Sequence, residues 1–275
     1  MTPESQATLL DAVRAIAEDA GRAIMAIYRG SFSVTEKDDR SPLTAADLAA
    51  HRSILAGLAA LTPDWPVLSE EAASNHGPDR HRWQRFWLVD PLDGTREFIK
   101  KNGEFSVNIA LIEAHKSVLG VVHAPVTGQS WMGARGIPGF RVDADRQRQP
   151  LRVQSPAPQC LRVAGSRSHA DPRLEGFLNR AGRHHLHPMG SALKFCLVAE
   201  GRADVYLRFG ATSEWDTAAG QAVLEAAGGQ VCDHRLQPLA YNTRPSLINP
   251  DFIAFADPGK PWLDWLHSDE TTRHA

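Results

Sequence analysis

The residues best suited to chemistry lie in Trp87-Leu88-Val89-Asp90-Pro91-Leu92-Asp93-Gly94-Thr95. The apolar run reads as a buried strand ending at Asp90. Pro91 cannot extend a sheet ladder, so the chain bends there. Gly94 permits a tight turn or the close approach of a ligand to the backbone. Asp90 and Asp93 can then converge on one side of the bend with the Leu92 carbonyl between them, a set of hard oxygen ligands of the kind Mg²⁺ prefers. The amides of Gly94 and Thr95, at the start of a helix or turn, can donate to phosphate oxygens. Pro, Asp and Gly also build ordinary turns, and this segment alone leaves that alternative open.

Three further acidic sites extend the pattern. Glu70 and Glu71 follow the short apolar run Val67-Leu68-Ser69; taken singly they suit a solvated strand end. Asp47 suits the first turn of a helix, where a carboxylate favours the dipole. Asp216 stands just before a small-residue helix and suits an N-cap. Gathered in one place these groups would repel one another, and divalent cations among them reverse that balance.

The elements that would position them are legible from periodicity. Leu9, Val13, Ile16, Ala20, Ile24 and Ile27 form one apolar helix face, started by Thr2-Pro3 and stopped at Gly30. A second helix begins at Thr44, where Thr44 and Asp47 resemble a capping box; Leu48, Leu55 and Leu58 are expected to face inward. The charged segment from Glu36 to Ser41 between them reads as a mobile loop. Phe105 to Phe140 alternates as an antiparallel β meander broken by Gly, Pro and Asn. The polar stretch 143–150 marks a soft boundary between an N-terminal half (1–150) and a C-terminal half (151–275). Beyond it come strand Leu161 to Ala164, helix Pro172 to Ala181, strand His185 to His187, helix Ser191 to Glu200, strand Asp204 to Leu207 and a helix from Thr217 to Ala227, an α/β order.

Composition narrows the function. The chain of 275 residues carries a net charge of −2 with 43% hydrophobic residues, and no run of five Lys or Arg occurs, so a polynucleotide groove has no support. Cys160, Cys196 and Cys232 are scattered and form no CxxC pair, against a disulfide framework or a zinc site. A cytoplasmic protein with reduced thiols is expected, since the N-terminus lacks a signal-peptide pattern and no segment is apolar enough to span a membrane. His184-His185-Leu186-His187 reads as a polar strand end, because only His185 and His187 share a face and no third ligand is evident. Arg96, Lys100 and Lys101 suit attraction of an anion, and Trp83, Phe86 and Trp87 suit the core.

Ser69-Glu70-Glu71, the segment Asp90 to Thr95, and Trp215-Asp216-Thr217-Ala218-Ala219-Gly220, in this order and at these separations, resemble the Mg²⁺-dependent, lithium-sensitive phosphatases of the inositol monophosphatase superfamily. Thr95 to Phe105, Ser166 to Asp171 and Lys194 to Gly201 further resemble the bacterial 3′(2′),5′-bisphosphate nucleotidases of the CysQ type. The resemblance implies a layered αβαβα sandwich of the α+β / α/β class, with an antiparallel meander sheet in the N-terminal half and a smaller mixed sheet in the C-terminal half. It implies hydrolysis of the 3′-phosphate of adenosine 3′,5′-bisphosphate to AMP by an activated water without a phosphoenzyme, in sulfur assimilation. Glu70, Asp90 and the Leu92 carbonyl would hold a first Mg²⁺, Asp90, Asp93 and Asp216 a second, and Glu70 a weaker third. Thr95 backed by Asp47, with Glu70, would activate the water. Glu70, Leu92, Asp93, Gly94, Thr95 and Asp216 would face the phosphate, while Ser166, His169, Ser191 and Lys194 would contact the nucleotide. Ala192 departs from the commoner pattern, which has a second serine there. The family also includes homodimers and proteins associated with the cytoplasmic face of the inner membrane. Inositol or sugar monophosphate hydrolysis, and a non-catalytic regulatory binding role, are the alternatives.

Overall fold

The computed structural model describes residues 2–36, 42–76, 78–165 and 171–267. Two helices open the chain, α1 (Pro3–Tyr28) and α2 (Ala45–Leu61), with a small antiparallel pair between them, β1 (Val34–Glu36) and β2 (Pro42–Thr44). Thr2 caps α1 ahead of Pro3, and Thr44 with Asp47 forms a true capping box on α2. Of the expected mobile loop, 37–41 lies outside the described residues and Glu36 ends β1.

The larger sheet runs β3 (Val67–Ser69), β4 (Arg85–Asp93), β5 (Ser106–Glu113), β6 (Lys116–Ala124), β7 (Gln129–Ala134), β8 (Ile137–Val142) and β9 (Arg148–Pro150) in that spatial order. Only β3 and β4 pair in parallel; the rest is the expected antiparallel meander. Both faces are covered, so alternate residues serve two cores. Trp87, Val89, Ile109, Leu111 and Val121 face α1 and α2. Phe86, Leu88, Ala110, Ile112 and Val122 face the opposite way.

Against that opposite face pack α5 (Leu193–Ala199) and α6 (Glu214–Ala226). The second sheet follows, in spatial order β11 (His184–Pro188), β10 (Leu161–Gly165), β12 (Val205–Arg208), β14 (Phe252–Phe255) and β13 (Gln230–Asp233), parallel at β11-β10-β12 and antiparallel beyond. Its outer face is covered by α4 (Pro172–Ala181) and α7 (Trp262–Leu266), through Phe177, Leu178 and Trp262. The layers are therefore α, β, α, β, α.

Several local expectations are corrected. Leu48 is exposed and Leu55 only half-buried; the inward face of α2 is Ala46, Asp47, Ala50, Ile54 and Leu58. α6 begins at Glu214 rather than Thr217, so Asp216 lies inside its first turn, not at the cap, which is Ser213. α5 starts at Leu193 because Ser191 holds a left-handed backbone (φ 48°) that no helix continues.

α6 lies unusually close to the sheet. A Cβ on Gly120 would come within 2.4 Å of the Ala219 carbonyl oxygen, and one on Gly133 within 2.6 Å of that of Ala222. Both obstacles are backbone, so neither can give way cheaply. Gly120→Val should lower the free energy of unfolding by at least the ~1–3 kcal/mol of an overpacked core, measured by urea denaturation; an unchanged midpoint would contradict this packing.

Candidate active site

β4 runs buried to Asp90, and its pairing with β5 breaks between Asp90 and Asp93, where Pro91 interrupts the ladder. The break turns both carboxylates to one side. The Leu92 amide donates to Asp90 Oδ1 at 3.0 Å. Gly94, at φ 92°, then starts the short helix α3 (Thr95–Ile99); its carbonyl accepts from the amides of Glu97 and Phe98.

Asp216 arrives from the other side of the interior on α6. Oxygens of Asp90, Asp93 and Asp216 lie within 4.8 Å of one another, and this is the one group of three potential metal-ligating side chains among the described residues. Burial, then the charges of Glu70, Asp93 and Asp216, hold the Asp90 pKa well above the carboxylate range, and Glu70 is hydrogen-bonded to it. Burial also raises Asp93, opposed chiefly by Lys194. Burial and then the charge of Asp93 push Asp216 up to about 8. An all-oxygen donor set that repels itself fits a hard divalent cation, whose charge would remove the repulsion.

Asp47 and Asp216 share a local device: each is the third residue of its helix and folds back on the cap. Asp47 Oδ2 accepts from the Thr44 amide at 2.8 Å and the Thr44 hydroxyl at 2.6 Å. Asp216 Oδ2 accepts from the Ser213 amide at 2.8 Å. The second oxygen of Asp47 remains for Thr95, whose hydroxyl reaches it at 3.2 Å and the Leu92 carbonyl at 3.3 Å.

A cavity of about 380 Å³ extends from these carboxylates, lined by Asp93, Gly94, Thr95, Lys194, Arg208 and Asp216 among others. Lys194 is buried and donates to the Ser191 carbonyl at 2.6 Å, with its amine 5.1 Å from the Tyr206 ring centre. Burial pulls its pKa down to about 8, against the attraction of Asp93.

The structure thus brings Asp47, Glu70, Asp90, Leu92, Asp93, Gly94, Thr95, Ser191, Lys194 and Asp216 into one region. Ser166 and His169 lie outside the described residues. The sequence did not single out Asn108, which donates to Asp93 Oδ2 at 3.1 Å from the neighbouring strand, or the Ala192 amide, which donates to the same oxygen at 2.5 Å. Nor did it single out Arg208, which lines the cavity with a buried, unpaired Nε. Only proximity across β4 and β5 marks Asn108, and no local pattern marks Arg208. The histidines at 184, 185 and 187 form no metal group with other described residues. All three cysteines are free, and among the described residues no helix is long and apolar enough to cross a membrane.

The chain belongs to the inositol monophosphatase family, whose model matches residues 5–259. Within it, the chain is 50% identical over 246 residues to the 3′(2′),5′-bisphosphate nucleotidase CysQ of Escherichia coli, covering 89% of this chain and 98% of that protein. It is 39% identical over 263 residues to the CysQ nucleotidase of Aggregatibacter actinomycetemcomitans, covering 95% and 97%. The crystal structure of CysQ from Bacteroides thetaiotaomicron superposes with a TM-score of 0.78 at 38% identity, covering 90% of this chain and 97% of that one.

The raised carboxylate pKa values predict how the metal-free protein responds to pH. Asp216 binds its proton more tightly folded (about 8) than unfolded (3.8). Its contribution to stability is complete below the lower value and is lost as pH rises towards the higher one. Chelator-treated protein should therefore melt at lower temperature at pH 8 than at pH 6. Added Mg²⁺ should raise the melting temperature more at pH 8, because protons no longer compete for the ligands. Equal Mg²⁺-induced shifts at both pH values would contradict the mutual repulsion.

Proposed function

We propose that the chain is a Mg²⁺-dependent phosphomonoesterase that removes the 3′-phosphate of adenosine 3′,5′-bisphosphate, leaving AMP and phosphate. One observation carries this reading: a single cavity is lined by Asp93 and Asp216 of the carboxylate group and also by Lys194 and Arg208, in a chain half-identical over almost the full length of a bisphosphate nucleotidase. A substrate with two phosphates needs two anion sites; a monophosphate needs only the first.

Glu70, Asp90 and the Leu92 carbonyl would hold one Mg²⁺, Asp90, Asp93 and Asp216 a second, and Glu70 would assist a weaker third. Divalent ions bound there would neutralise the phosphate oxygens, lower the pKa of a water and stabilise the leaving alkoxide. The protein's part is positioning and charge. The amides of Gly94 and Thr95 grip the scissile phosphate at the start of α3. The Thr95 hydroxyl, held by Asp47, orients the attacking water and passes its proton towards the Asp47 carboxylate. Asn108 and the Ala192 amide fix Asp93, leaving its other oxygen for the ion. Lys194 and Arg208, with Ser191, take the remote 5′-phosphate; Ser166 and His169 are assigned to the nucleotide by family likeness alone. Direct attack by water suits the residues present, since Asp90 and Asp93 would be occupied as ligands and none of the described cysteines lines the cavity. Unpaired cysteines and a nucleotide substrate suit a cytoplasmic place in sulfur assimilation.

Asp90→Asn should lower Mg²⁺-dependent turnover by more than the ~100-fold typical of losing an outer-shell partner, with the fold retained by circular dichroism. Near-normal turnover would refute the metal assignment. Arg208→Ala should raise KM for adenosine 3′,5′-bisphosphate by roughly 10- to 100-fold, the effect of one hydrogen bond between charged groups. A larger kcat/KM of the unaltered protein for inositol 1-phosphate than for the bisphosphate would reverse the substrate assignment.

A further inference from the structure

The capping box of α6 ties the Asp216 carboxylate to the Ser213 amide. That fixes the carboxylate relative to the cap. It does not fix where the cap sits relative to Asp90 and Asp93, which come from β4 of the larger sheet. A second segment does so. The Glu214 amide donates to the Leu247 carbonyl and the Asn249 amide to the Thr212 carbonyl, each at 2.8 Å, with Ser213 bridged to Ile248. Asn249 adds its side chain. Its Nδ2 donates to the Ser213 carbonyl at 2.7 Å and to the Thr217 hydroxyl oxygen at 3.1 Å. One amide thus holds the cap residue ahead of Asp216 and the residue just after it. Ser213 is gripped on both sides, its N–H by Asp216 and its carbonyl by Asn249.

These bonds are not needed to satisfy the groups they hold. The Ser213 carbonyl also accepts from the Asp216 amide at 3.1 Å, and the Thr217 hydroxyl donates to the Glu214 carbonyl at 3.1 Å. Asn249 itself is buried, and its Oδ1 has no hydrogen-bond partner, an unfavourable state for a polar atom away from water. What the side chain supplies is position. Three residues beyond it the chain enters β14, which lies between β12 and β13 in the second sheet. Taking the Mg²⁺ sites proposed above as given, we propose that Asn249 is a positioning residue for the ion assigned to Asp216. It sets the start of α6 against the second sheet, so that the Asp216 carboxylate meets those of Asp90 and Asp93. Asn249 does not itself line the cavity.

The test titrates chelator-treated protein with Mg²⁺ by isothermal titration calorimetry, a readout that needs no turnover. It compares the unaltered protein, Asn249→Ala, Asn249→Ser and Arg162→Ala. The last is the control for lost stability alone: Arg162 pairs with buried Asp204, and its other side-chain bonds go to Gln154 and Gly201. Asn249→Ala should raise the Mg²⁺ dissociation constant by roughly 10- to 100-fold, the range for losing an outer-shell partner. Asn249→Ser, which disturbs the fold less and keeps a shorter donor, should raise it by less. Arg162→Ala should lower the melting temperature and leave the dissociation constant unchanged. Unaltered Mg²⁺ affinity in the Asn249 variants that fold, or an equal loss in Arg162→Ala, overturns the positioning role alone. Absence of Mg²⁺ binding to the unaltered protein overturns the metal sites, and this role with them.

Discussion

Repulsion between buried carboxylates is the constraint around which this protein is arranged. Asp90, Asp93 and Asp216 are brought within 4.8 Å of one another from two segments separated by more than a third of the chain. Taking one such charge out of water is unfavourable, and taking out three together is more so. The protein accepts this because each group is fixed by bonds that do not depend on an ion: the Leu92 amide on Asp90, Asn108 and the Ala192 amide on Asp93, the Ser213 amide on Asp216. These contacts preorganise the oxygens, and a divalent cation then turns the repulsion into attraction.

The same economy appears in the helix starts. Asp47 and Asp216 both complete a capping box, a device that elsewhere serves only to stabilise a helix terminus. One oxygen closes the cap and the other is left facing the site. Helix geometry therefore fixes the carboxylate to within the tolerance of a hydrogen bond. For Asp216 this works only if α6 itself is well placed, and glycines at 120 and 133 allow its backbone to approach the larger sheet so closely that a methyl group would not fit. A packing detail in the interior thus bears on the chemistry at one end of the helix.

Basic groups share the cavity with the carboxylates. Lys194 is drawn back onto the Ser191 carbonyl and lies over Tyr206, which keeps a buried ammonium satisfied without a carboxylate partner at hydrogen-bonding distance. Arg208 offers a second positive group lining the same cavity. A cavity holding clustered carboxylates and two basic groups suits the bisphosphate proposed above.

The local pieces are legible in the residue order. The apolar run into Asp90 and the break at Pro91, the cap at Thr44, the meander after Phe105 and the alternation beyond residue 150 all follow from short-range periodicity and turn chemistry, and the motifs in series carried the family likeness. Its failures were local too: Leu48 matched a helical stripe yet faces solvent, and α6 starts three residues before its apolar pattern does. Only contacts between layers fix that Asn108 and the Ala192 amide hold Asp93 and that Arg208 lines the cavity. Contacts between residues far apart in the chain depend on which faces of different layers meet, and periodicity within one element carries no information about its neighbour.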